Sequence, residues 1–87
     1  MTELKVFGKD RADEAYETLL ERAQRIAASF GGRVTVNEYE LDSDEARRLG
    51  VARAPALAIG GDLAYVGTVP TVGQLATMVG VVLGQSQ

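Results

Sequence analysis

The chain contains no cysteine and no histidine. Without cysteine, disulfide staples, thiolate metal ligands and thiol–disulfide exchange are excluded for these residues, because each needs a sulfur atom. Without histidine, the commonest general base and the commonest metal ligand are missing. Long apolar runs are missing too. The longest, Val72–Leu83, is broken by Gly73, Gln74, Thr77 and Gly80 and falls short of the ~20 residues that span a bilayer. Met1 is followed by Thr2, Glu3 and Lys5 rather than by an apolar segment, so no secretory leader is expected and a cytoplasmic location is the default. Charge is nearly absent from one half. Residues 1–50 hold eight Lys/Arg and eleven Asp/Glu, whereas residues 51–87 hold only Arg53 and Asp62. A free monomer keeps charge on every exposed face, so the uncharged half hints at a buried or shared surface.

The 87 residues form one domain, 1–87, with 46% hydrophobic and 24% charged residues, as in ordinary globular chains. A domain this small buries only ~60% of its unfolded surface, so its core is thin. The net charge of −3 argues against a nucleic-acid surface, which is basic.

Periodicity outlines the elements. Leu4-Lys5-Val6-Phe7 reads as a first strand stopped by Gly8. Asp10 reads as the N-cap of a helix, with Asp13 and Glu14 complementing its dipole. Tyr16, Leu19, Leu20, Ala23, Ile26, Ala27 and Phe30 trace one helical face, and Gly31-Gly32 ends that helix. Val34–Glu40 is a strand with one polar side, suited to a sheet edge. Ser43 or Asp42 caps a short second helix, which Gly50 stops. Ala54–Ile59 is an apolar strand opened by Pro55. Gly60-Gly61-Asp62 reads as a hairpin turn into Leu63–Val66. Thr71 and Gln74 form a capping box for a last helix whose core face is Leu75, Met78, Val79 and Val82. The order is β-α-β-α-β-β-α. The first two strands are parallel neighbours through a right-handed crossover, and the last two are antiparallel.

This order, with Leu-Gly-Val, Ala-Pro-Ala-Leu-Ala-Ile, Gly-Gly, a short strand, Gly-Thr-Val-Pro-Thr and a helix between Leu49 and Leu83, resembles the thioredoxin fold. It looks like the small redox-active disulfide proteins of the glutaredoxin-like branch. The resemblance implies an α/β thioredoxin-like domain: a four-stranded mixed sheet with the first and third helices on one face and the second on the other. It also implies a cis-proline at Pro55, after Ala54, beside a groove for an extended segment. A trans proline that starts a strand is the structural alternative. The family's C-x-x-C falls on Arg11 and Glu14 here, so both sulfurs are replaced and thiol–disulfide oxidoreductase activity is excluded.

The candidate binding residues are therefore Lys9, Asp10, Arg11, Asp13 and Glu14 at the helix start, with Ala54 and Pro55; a capped, solvated helix start is the plainer reading of the first five. Asp10, Asp13 and Glu14, and likewise Asp42, Asp44 and Glu45, lack the alternating ligand pattern of a calcium loop, and no metal or cofactor is expected. Gly60-Gly61 precedes a strand and lacks a phosphate-loop pattern. The last helix carries a second uncharged face, Val72, Gly73, Ala76, Gly80 and Val81, which is a candidate interface for a homodimer or partner. No catalytic residue stands out. The expected function is a redox-inactive binding or adaptor module that holds a protein or peptide. The alternatives are a non-catalytic, partner-dependent subunit of a thiol–disulfide system and a structural subunit that self-assembles. No nucleic-acid or membrane partner is expected.

Overall fold

The structure, a computed structural model, describes residues 2–8 and 13–85. Seven elements follow in the order β1 (Thr2–Gly8), α1 (Glu14–Ser29), β2 (Val34–Glu40), α2 (Asp44–Leu49), β3 (Ala56–Ile59), β4 (Asp62–Val66) and α3 (Val72–Gln85). The four strands form one mixed sheet ordered β2-β1-β3-β4. β1 pairs with β2 in parallel and with β3 antiparallel, and β3 pairs with β4 antiparallel. Among the described residues, no helix is long and apolar enough to cross a membrane.

β1 lies inside the sheet, and its alternation sorts two cores. Leu4 and Val6 point to one face and pack with Leu57 and Ile59 of β3 under Tyr16, Leu19, Leu20, Ala23 and Ile26 of α1 and Leu75, Val79 and Leu83 of α3. Phe7 points to the other face, with Ala56, Ala58, Val51 and Ala46 of α2. The first and third helices thus share one face and the second covers the other. Lys5 shares the Phe7 face and is buried there.

The caps differ from expectation at one end of one helix. Asp10 lies outside the described residues, and the N-cap of α1 is Asp13, whose Oδ1 accepts from the Ala15 N–H at 3.0 Å. α2 is capped by Ser43, whose Oγ accepts from the Ala46 N–H at 3.2 Å, and it closes at Gly50 in the left-handed conformation (φ 76°) that glycine adopts without a Cβ penalty. Thr71 and Gln74 bond reciprocally: the Gln74 N–H donates to Thr71 Oγ1 at 3.1 Å and the Thr71 N–H to Gln74 Oε1 at 3.0 Å.

β3 starts at Ala56, two residues later than the apolar run. Its turn into β4 puts Gly60 and Gly61 at φ 61° and 94°, the positive pair that a two-residue turn with the right strand twist requires. In β4 the register slips: Leu57 faces Tyr65 but Ala58 faces Leu63, so Ala64 is an extra residue, a β-bulge.

In α3 the buried line is Leu75, Val79 and Leu83, while Met78 is 39% exposed and Val82 half-buried. Steps of four advance the contact line by 40° each time. That slant brings Leu83 under the helix and leaves the Met78 flank outside, correcting the face drawn through Met78.

Candidate functional site

One end of the sheet gathers the loops. The parallel strands β1 and β2 both leave there, at Gly8 and Glu40, and the antiparallel partner β3 enters there at Ala56. The start of α1 follows β1 at this end. Gly8 permits a close approach: a Cβ on it would overlap the ring of Tyr16. That ring is fixed by the Tyr16 hydroxyl, which donates to Glu38 Oε1 of β2 at 2.8 Å.

The Ala54–Pro55 peptide bond is cis. Pro55 is buried, and its carbonyl accepts from the Gly67 N–H at 2.8 Å, which ties the segment to the end of β4. The three residues before it are different. Ala52 and Arg53 are exposed, Ala54 is half-buried, and none of their backbone N–H or C=O groups bonds to another backbone group among the described residues. Beside them a cleft of about 590 Å³ is lined by Glu40, Leu41, Asp42, Val51 and Ala52. Val51 is buried and Leu41 half-buried, both in the apolar cluster under α2, whereas Glu40 and Asp42 are exposed.

Of the residues expected at a binding site, Lys9, Asp10 and Arg11 lie outside the described ones. Asp13 and Glu14 are exposed at the start of α1, with Asp13 engaged in capping. Ala54 and Pro55 stand at the cleft end of the sheet. On α3, Gly73, Gly80 and Val81 are exposed, but Val72 and Ala76 are half-buried against the core, so the expected interface stripe splits between packing and open surface.

Sequence reasoning did not find the polar cluster on the α2 face of the sheet. Lys5 Nζ lies 2.7 Å from Glu45 Oε2 and 3.8 Å from Glu3 Oε1, and 5.9 Å from the centre of the Tyr39 ring. Glu45 Oε1 also accepts from Arg48 Nε at 2.5 Å. The hydrogen bond from Arg48, then that from Lys5, pulls the Glu45 carboxyl down to about 2; the same bond raises Arg48. Tyr39 stacks on Phe7 with ring centroids 5.4 Å apart and donates to Glu3 Oε2 at 3.1 Å. Burial, followed by that bond, raises its hydroxyl pKa. The available signal was the lone lysine inside the apolar run Leu4–Phe7.

These ion pairs leave the acids around α2 unevenly satisfied. Asp44 is held by Arg47 at 2.8 Å and Glu45 by Lys5 and Arg48. The carboxylates of Glu40 and Asp42 have no partner among the described residues. Among the described residues, no three acidic side chains converge as metal ligands do.

A four-stranded mixed sheet with three helices in this order, and a proline at the head of β3, defines a thioredoxin-like α/β domain. The family model described as a thioredoxin domain matches residues 3–80, and the chain belongs to that family. A solved structure described as "Structure of a malarial protein" superposes with a TM-score of 0.72 over 93% of this chain and 96% of that one. At 15% identity, that likeness concerns the fold alone. No curated protein matches the sequence.

Proposed function

We propose that the domain is a redox-inactive binding module that holds an extended peptide segment of a partner protein. The observation that carries this reading is the backbone of Ala52–Ala54, unpaired among the described residues, beside an open cleft, in a thioredoxin-family chain without a sulfur nucleophile. An extended segment offers N–H and C=O groups that can pair with such a backbone, and a cleft alongside receives one of its side chains. Selection of a displayed random-peptide library on the immobilised domain, followed by titration of an enriched peptide into ¹⁵N-labelled protein, tests it. The expected shifts centre on Glu40–Asp42 and Val51–Ala54, and Ala52→Trp, which fills the cleft, weakens binding about tenfold or more. Shifts confined to another surface, or no enriched peptide, would overturn the reading.

A second reading rests on α3. It has no charged residue, and Met78 and Val81 are 39% and 50% exposed. A second copy of the chain would cover this flank and the exposed Gly80. Sedimentation of the wild type should then show a dimer that Gly80→Glu converts to a folded monomer. A wild type that stays monomeric at high concentration removes this reading.

A further inference from the structure

We propose that the cleft beside Ala52 selects a basic side chain, so that the bound segment places an arginine or lysine there. This rests on the peptide-binding reading above and specifies its chemistry. The walls are of two kinds. Val51 and Leu41 supply apolar surface, and Glu40 and Asp42 supply two exposed carboxylates. No cation is among the described lining residues: Arg47 is engaged with Asp44 at 2.8 Å, Arg48 with Glu45 at 2.5 Å, and the guanidinium of Arg53 lies beside Gly67 at the end of β4. The described lining residues therefore carry negative charge alone.

Three kinds of side chain can be compared. A carboxylate would be repelled by both rims. A neutral aliphatic chain would cover Leu41 and Val51 but do nothing for the carboxylates. Arginine and lysine carry an apolar stem ending in a cation, so the stem lies on Leu41 and Val51 while the head reaches Glu40 or Asp42. Arginine gains further from its planar fork, which can meet a carboxylate with two parallel bonds.

The test uses three heptapeptides of alternating threonine and valine, with arginine, methionine or glutamate at the centre, titrated into the full ¹⁵N-labelled chain. The arginine peptide is expected to bind about five- to tenfold tighter than the methionine peptide, the range set by one or two partly exposed charge pairs. The glutamate peptide should bind most weakly. The arginine advantage should shrink when salt rises from about 50 to about 300 mM, as the Debye length shortens. It should vanish in the double variant Glu40→Gln, Asp42→Asn, which leaves the apolar walls intact. Equal binding of all three peptides with shifts at Val51–Ala54 overturns the basic-side-chain proposal and leaves the peptide-binding reading standing. No shift at Val51–Ala54 with any of the three overturns both.

Discussion

Lys5 of the central strand and Glu45 of α2 meet at 2.7 Å, with only 8% of the lysine side chain exposed. This contact joins a six-residue helix, which buries only Ala46 of its own, to the middle of the sheet. Breaking such a pair from one side leaves the other charge in a poorly hydrated place. The two partners are not equivalent. Glu45 keeps Arg48 if Lys5 is lost, whereas Lys5 keeps only the more distant Glu3, at 3.8 Å, and the face of Tyr39 at 5.9 Å if Glu45 is lost. Glu45→Gln should therefore lower the thermal midpoint more than Lys5→Met, whose flexible apolar chain suits the same space. Thermal unfolding of the two variants by circular dichroism checks this, and the opposite order would show that Lys5 is not held by Glu45.

The bonds of Glu45, from Arg48 first and Lys5 second, fix a pH dependence. The Glu45 carboxyl is lowered from 4.5 to about 2 in the folded chain. The unfolded state therefore binds this proton first as pH falls. The stabilisation is complete above about 4.5 and is lost progressively as pH drops towards 2. Urea midpoints of wild type and Glu45→Gln should differ at neutral pH and converge over that window. A gap that stays constant down to pH 2 contradicts the assignment.

Gly8→Ala should destabilise the chain although the change is a single methyl group. The added Cβ overlaps the Tyr16 ring, and that ring is anchored to Glu38 at 2.8 Å. Overpacking of this kind costs about 1–3 kcal/mol. Adding Tyr16→Ala should make the Gly8 substitution far less costly, and a double-mutant cycle in urea measures the coupling.

Two apolar residues of α3 should respond very differently to truncation. Leu75→Ala empties a fully buried position and should cost about 2–5 kcal/mol. Met78→Ala removes a side chain that is 39% exposed and should stay within about 1 kcal/mol. Comparable losses for the two would restore the face drawn through Met78.

Strong local signals carried most of the fold. The α1 face from Tyr16 to Ile26 is the buried one, β2 is an edge strand, and the Thr71–Gln74 box is formed with both bonds. Each of these is written within one short segment. What escaped the sequence depends on distant partners. The burial of Lys5 needs Glu45, forty positions away, and the cleft needs β2's exit and the segment after α2 to meet. The face of α3 was ambiguous for a simpler reason: Met78 and Leu83 are both apolar at helical spacing, and only the tilt of the helix against the sheet decides which is covered. The start of α1 was placed too early because several acidic residues before Tyr16 could each act as a cap, and Asp13 is the one that does.

Ala64, the extra residue in β4, also governs what the sheet cannot become. A straight, regular outer strand invites another chain to add on and continue the ladder. Here the irregular spacing on one outer strand misaligns its donors and acceptors for any incoming strand. On the opposite side, Glu38 and Glu40 of β2 would bring like charges together in a β2–β2 stack. Four strands are thus a stopping point, and a small chain with much of its charge in one half is guarded against fibrillar growth by a single inserted alanine and a pair of carboxylates.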